Sequence, residues 1–398
     1  MTEGERFREL TVLSIEQATV LPFLTQRLAM EGMRVIRVET PGKGDPNRYV
    51  GSPALGEEGM GTYFLPNNLG KEGITLDLAT EKGQSLLAGL VRKLPVDVFA
   101  TNLRPRSYRK LGVGYETLSA IRPGLVWLGI TGFGPDSDEA AYDPILQARA
   151  GWMELTGEPG GPPLVFGLPM ADLGTAEHAY GLVMKALYRR AATGEGSRID
   201  LSMLASAASW LANPILLSES FGETITRRGN THPFFSPCSV YPTRDGHVYI
   251  SVGNDRQWEA LVRLPGFGEL AGPGLATNAG RIAAGARLHE SLGAATRRLS
   301  TQEALAAFRE AGIPAARVNT VPEVAADPAV RDRLVRSTDP VTGTAVAIPG
   351  PPVESEFLAA SGRRLSFPPR LGEHNAKVYG EIGVEERELA ELRERRIV

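Results

Sequence analysis

Within residues 11–38 the chain runs strand, helix, strand, and no other stretch restricts the fold as much. Thr11-Val-Leu-Ser-Ile15 is an apolar run of strand length, Phe23 to Met33 carries apolar residues at helical spacing, and Arg34-Val-Ile-Arg-Val38 is a second strand. Two strands joined by one helix read as a parallel βαβ unit with a right-handed crossover. The pattern repeats: a helix over Glu81 to Leu94, a strand at Val96-Asp-Val-Phe-Ala100, a short helix from Tyr115 to Ile121, and a strand at Leu125 to Ile130. The expected class is therefore α/β, with helices covering a parallel sheet.

Gly174 to Ala192 has the clearest helical stripe, formed by Ala179, Leu182, Val183, Ala186 and Leu187, and Thr193-Gly-Glu-Gly196 ends it. From Ser218 to His232 the pattern lapses into a connecting segment containing Arg227, Arg228, Gly229 and Asn230. A hairpin with an Asp245-Gly246 turn, ending in Val248-Tyr-Ile-Ser-Val252, then opens a second, smaller α/β unit. Its helices are expected over Asp255 to Leu264, Arg281 to Leu299 and Thr301 to Ala311. Short strands and turns are expected from Asp339 to Phe357, and a last helix from Val384 to Arg395.

Composition argues for a small-molecule partner. In 398 residues, 42% hydrophobic and 22% charged, the net charge of −3 gives no electrostatic reason for a nucleic-acid or membrane partner. The N-terminal stretch from Met1 to Leu10 alternates charges where a signal peptide needs a basic start and an apolar run, and no stretch is apolar enough to span a bilayer, so a cytoplasmic protein is expected. Cys238 is the sole cysteine, and the five histidines, 178, 232, 247, 289 and 374, lack metal-ligand spacing, so no metal site is expected. Dinucleotide, P-loop, zincin and serine-hydrolase signatures are also missing, which leaves carboxylate chemistry.

Asp172, in Leu168-Pro-Met-Ala-Asp-Leu-Gly-Thr175, stands at the expected start of the Gly174 helix. Such a carboxylate either caps the helix or, kept ionised by the helix terminus at the carboxyl edge of the sheet, acts as a nucleophile. Asp143, before Pro144 and near Gln147, reads either as a turn residue or as a group that orients substrate. Basic residues gather in three loops placed after strands: Arg37, Lys43 and Arg48; Lys71; and Arg104, Arg106, Arg109 and Lys110 following Asn102. They form either a phosphate-binding edge or a solvated surface.

Taken in order, many segments resemble the class III CoA-transferases, the family of formyl-CoA and carnitine CoA-transferases and α-methylacyl-CoA racemases. They include Arg34 to Arg48, Asn68 to Lys71 with Leu76-Asp-Leu78, Asn102-Leu-Arg-Pro105, Gly129 to Pro135, and Asp143 with Gln147-Ala148. Ala171-Asp-Leu-Gly-Thr175, Gly229 to Pro233, Gly253 to Trp258 and Leu371 to Asn375 continue the match. The resemblance implies that Asp172 is the nucleophile, forming an aspartyl anhydride and then an aspartyl-CoA thioester, with a CoA thioester as substrate and no permanently bound cofactor. It places the CoA nucleotide near Arg37, Lys43, Arg48, Lys71, Leu76, Leu78, Asn102, Arg104, Arg106 and Lys110. It also implies a Rossmann-like large domain with a parallel sheet built from both chain ends (1–200 and 325–398), a linker (201–228), a small domain (229–324), and an interlocked homodimer.

Departures from the family pattern refine these expectations. Thr19 stands where the formyl-CoA enzyme has a catalytic glutamine, and Gln17 lies two residues earlier. Ser251-Val-Gly-Asn-Asp255 carries one glycine in place of a glycine-rich loop, which argues against formate and oxalate. Racemases place a histidine base one residue before the position of Asp143; this chain has Tyr142, whose ordinary pKa of ~10 suits it poorly to proton abstraction near neutrality. The expected activity is reversible CoA transfer between carboxylic acids. Short dicarboxylates such as succinyl or methyl-branched C4 to C5 diacids are favoured, with transfer between the two carboxyls of one molecule as a variant. The alternatives are a racemase and a non-catalytic acyl-CoA-binding protein.

Overall fold

The structure, a computed structural model, describes residues 7–53 and 55–398, so the first residues of the N-terminal reading lie outside it. The chain divides into two compact units, one of residues 1–150, 167–212 and 332–398, the other of 151–166 and 213–331. The stretch 151–166 therefore leaves the expected large domain, and 213–228 belongs to the second unit where a linker was expected.

Six strands form the sheet of the first unit: β1 (Thr11–Ile15), β2 (Arg34–Glu39), β3 (Lys71–Thr75), β4 (Val96–Thr101), β5 (Val126–Thr131) and β6 (Ser197–Ser202). All neighbours are parallel, in the order β3-β2-β1-β4-β5-β6. This is the doubly wound order, in which the chain leaves β1 in one direction and returns to β4 on its other side, opening a crevice at their carboxyl ends. The βαβ reading held for β1, β2, β4 and β5. It missed β3 and β6, the two edges, whose sequences Lys-Glu-Gly-Ile-Thr and Ser-Arg-Ile-Asp-Leu-Ser carry too much polarity to read as buried runs.

The sheet is covered by α1 (Val20–Met30), α2 (Glu81–Lys93), α3 (Pro105–Leu111), α4 (Tyr115–Ile121), α5 (Asp143–Arg149), α6 (Met170–Thr193) and α7 (Met203–Ser209). Leu86, Leu87, Leu90 and Val91 of α2 pack in one core with Leu13, Ile36, Ile74, Phe99 and Trp127 from the strands. Burying side chains of this size contributes roughly 1.5–3 kcal/mol each. The C-terminal segment adds to the same core through Val378, Tyr379, Leu389 and Leu392, on helices Asn375–Glu381 and Glu386–Glu394. It reinforces the sheet from its face: Tyr379 donates its hydroxyl to the Thr75 carbonyl, and Asn375 accepts from the Thr75 amide. No strand of the six comes from this end, so the sheet itself is not built from both termini.

The second unit holds the expected hairpin, Cys238–Pro242 with His247–Ser251, and a third strand, Ala315–Arg317, paired antiparallel to it. Helices Asp255–Val262 and Thr301–Glu310 match their readings. The helix expected over Arg281 to Leu299 runs from Asn278 to Thr296 and is broken at Gly285, whose φ of 47° only glycine adopts readily. Cys238 is buried and free.

Candidate functional site

The register of the central strands assembles the site. Ile15 of β1 lies opposite Thr101 of β4, so the loops leaving both strands emerge side by side. There Asn102 forms a two-point contact with the main chain of Gln17, accepting from its N–H at 3.1 Å and donating to its carbonyl at 2.8 Å. Beside them is a cavity of about 150 Å³ lined by Gln17, Ala18, Asn102, Leu103, Arg104, Thr131, Gly132, Ser137, Glu139, Tyr142 and Asp172, among others.

Asp172 enters this cavity from the first turn of α6, which starts at Met170, four residues before the expected Gly174. It is neither ahead of the helix nor its cap. The N-cap position is Pro169, which has no side-chain acceptor, and the capping is done from another helix. Asp143, the first residue of α5 and only 6% exposed, accepts from the N–H groups of Ala171 at 2.7 Å and Asp172 at 3.1 Å through Oδ1, while its Oδ2 accepts from Gln147 Nε2 at 2.6 Å.

This arrangement decides the electrostatics. The free N–H groups of a helix start would stabilise a carboxylate. Here two of them are already bonded to Asp143, and the Asp172 carboxylate has no hydrogen-bond partner among the described residues. Burial, and next the neighbouring Asp143 charge, push the Asp172 carboxyl up to about 7. The expectation that the helix terminus keeps it firmly ionised is thereby corrected. A carboxyl poised near neutrality, poorly solvated and facing a cavity is ionised often enough to attack and is a stronger base than an ordinary aspartate.

The other expected site residues divide sharply. Tyr142, the N-cap residue of α5, is 73% exposed and lines the cavity, whereas Thr19 is buried at the start of α1 and does not. Gln17 is the one that reaches the cavity. Arg37, Arg48 and Lys71 are almost fully buried, and Lys71 begins β3 instead of lying in a loop. Arg37 pairs with Glu39 and Asp45 at 3.2 Å each, Arg48 with Glu39 at 2.6 Å, and Lys71 with Glu16 at 2.7 Å. Burial lowers Lys71 to about 8 despite Glu16; for Glu16, burial pushes up but Lys71 and Arg37 outweigh it, and the net shift is down. Three cations thus neutralise three buried acids inside the fold, where a solvated or phosphate-facing edge was expected. Sequence could not tell a surface arginine from this one, because Glu16 becomes its partner only when β1 and β2 lie side by side, and Asp45 only when the loop after β2 folds back on the strand.

Lys43, Arg104, Arg106, Arg109 and Lys110 remain exposed. Among the described residues Arg104 is the one cation lining the Asp172 cavity. A second cavity, of about 280 Å³, opens at the carboxyl ends of β1, β2 and β3; Ile15, Val38, Leu76, Leu78, Leu103 and Leu111 give it apolar walls, Glu16, Glu39, Asp45 and Asp77 add acidic groups, and Gln17 and Leu103 line both cavities. Its dimensions and surface suit a flat aromatic base, with Arg104, Arg106 and Lys110 on the neighbouring loop and helix for phosphates. Among the described residues no cluster of three or more His, Cys, Asp or Glu is placed to hold a metal ion, and no helix is long and apolar enough to cross a membrane.

Residues 7–375 match the model of CoA-transferase family III. A succinate–glutarate CoA-transferase of Agrobacterium fabrum is 36% identical over 94% of this chain and 95% of its own length. A succinyl-CoA:mesaconate CoA-transferase of Haloarcula hispanica is 34% identical over 94% and 96%. Among solved structures, a CAIB/BAIF family protein from Brucella suis superposes with a TM-score of 0.81 at 34% identity, covering 94% of this chain and 98% of that one.

Proposed function

Since the chain belongs to CoA-transferase family III, we propose that it moves CoA between short dicarboxylic acids, with Asp172 as the acyl carrier. One Asp172 carboxylate oxygen attacks the thioester carbonyl, and the C–S bond breaks to release CoA thiolate and leave an aspartyl anhydride. The thiolate attacks the aspartyl carbonyl, forming an aspartyl-CoA thioester and releasing the first acid as its carboxylate. A second carboxylate reverses both steps, so the thioester's energy is conserved and no net proton is consumed.

The observation that carries this reading is the unpartnered Asp172 carboxylate in a cavity that shares Gln17 and Leu103 with the nucleotide-sized cavity. A thioester whose nucleotide lies in the second presents its acyl end to the first. No histidine among the described residues lines the Asp172 cavity, so the histidine base of the racemases has no counterpart there. Arg104, free of any ion pair among the described residues, is available for the distal carboxylate of a diacid. Diacids of four to five carbons also fit the succinate, glutarate and mesaconate in the relatives' names.

An interlocked homodimer belongs to the same proposal. Large apolar side chains support it: Tyr188 (79% exposed) and Trp210 (58%) on the first unit, Phe221 (66%) and Val321 (82%) on the second. Sedimentation of the purified protein as a dimer at micromolar concentration is the expected result.

The test is an acyl-exchange panel pairing succinyl-CoA with glutarate, mesaconate and monocarboxylates, quenched and probed for a hydroxylamine-sensitive adduct on Asp172. Dicarboxylate exchange that disappears in Asp172→Ala is expected. Full exchange in that variant would refute the acyl carrier, and solvent deuterium entering the α-carbon without exchange would restore the racemase reading.

A further inference from the structure

Gln17 and Ala18 are held in an unusual way. All four of their main-chain polar groups are met by side chains from two other loops. Asn102 takes both groups of Gln17, Asp45 accepts from the Ala18 N–H at 3.2 Å, and Asn47 donates to the Ala18 carbonyl at 2.8 Å. Asp45 also accepts from the Asn47 N–H at 2.9 Å and pairs with Arg37, so the hold is anchored in the buried ion network. Ala18 sits at φ 62°, one of three non-glycine residues with positive φ among those described. An alanine rarely adopts this conformation unless its surroundings enforce it. Relaxation to negative φ would turn the peptide joining the two residues and swing the Gln17 side chain away. As it stands, Gln17 lines both cavities, and its amide has no hydrogen-bond partner among the described residues.

We propose that this four-point clamp is a positioning device for the reaction: Asp45, Asn47 and the left-handed Ala18 hold the Gln17 amide against the acyl group at Asp172. There its N–H donates to the oxyanion that forms when the carbonyl is attacked. The proposal rests on Asp172 being the acyl carrier. It assigns to Gln17 the donor's work that the buried Thr19 cannot perform, and it makes Asn47, which lines neither cavity, a positioning residue.

The test uses the full chain and succinyl-CoA with glutarate. Gln17→Ala should lower kcat about 100-fold, the usual effect of losing one oxyanion donor, with KM for the thioester changed less than about threefold. Asn47→Ala should lower kcat about tenfold or more, and should cost nothing further in the Gln17→Ala background, because it acts only through that amide. Should Asn47→Ala fail to fold, Ala18→Val keeps every hydrogen bond but places a β-branched residue at positive φ, and the same non-additivity is expected of it. Unchanged kcat in a folded clamp variant, or losses that multiply with Gln17→Ala, would overturn the clamp. Exchange surviving in Asp172→Ala would overturn the carrier instead, so the two failures are distinguishable.

Discussion

Replacing Asp172 with asparagine should abolish transfer and stabilise the protein, the second effect growing as pH rises from about 4 and levelling off above about 7. In the folded chain burial and the Asp143 charge move the Asp172 carboxyl from its usual 3.8 to about 7. Between those values the native state holds a proton that the unfolded chain gives up, so stability falls as pH rises through the window; above it, both states are ionised and the fold bears the full cost of a poorly solvated charge. A tenfold change in proton affinity is about 1.4 kcal/mol, which sets a ceiling of about 4 kcal/mol. Water entering the cavity and relaxation around the ionised group reduce that, and we expect on the order of 2 kcal/mol. Asparagine cannot ionise, so its advantage over wild type should be small near pH 4 and reach a plateau above pH 8. Urea unfolding of both proteins from pH 4 to 9, at one protomer concentration and ionic strength, measures the difference while titrations elsewhere cancel. A difference independent of pH, or an asparagine variant less stable at pH 8.5, would refute the account of how the carboxyl is held.

Three further outcomes follow from the same geometry. Asp143→Asn keeps an acceptor for the start of α6 but removes the like charge, so the acidic limb of the pH–rate profile should move down. The displacement should be modest, because burial is the larger cause of the Asp172 shift. Asp143→Ala leaves the Ala171 and Asp172 N–H groups without their acceptor and should cost about 2 kcal/mol of unfolding free energy, seen in urea titration, together with most of kcat. Lys71→Met takes from the Glu16 carboxylate its nearest cation, leaving it Arg37 at 3.8 Å, and should cost about 3 kcal/mol, whereas Arg104→Ala should change stability by less than about 0.5 kcal/mol and raise KM for the thioester or the diacid. Equal stability losses in these last two would contradict the division into buried and exposed cations.

The periodicities of β1, β2, β4 and β5 and of the helices between them are local properties, so they were legible in one dimension: a buried parallel strand must be apolar throughout and a covering helix must repeat every three to four residues. Asp172 was legible as a candidate because it stands beside the start of the apolar stripe and because Ala171-Asp-Leu-Gly-Thr175 resembles the family's segment. What no local pattern carries is which groups meet. Asp143 caps α6 from 28 residues away, and this early start and lost capping partner make Asp172 a carboxyl near neutrality instead of a firmly ionised one. Asp45, Asn47 and Asn102 converge on Gln17 and Ala18 only because β1 lies between β2 and β4. Arg37, Arg48 and Lys71 read as surface cations until that same strand order buries them against Glu16, Glu39 and Asp45. Sequence by itself thus determined most of the elements and offered Asp172 as a candidate. Tertiary structure decided charge state, orientation and access, because these depend on distances between residues far apart in the chain and on the exclusion of water from between them.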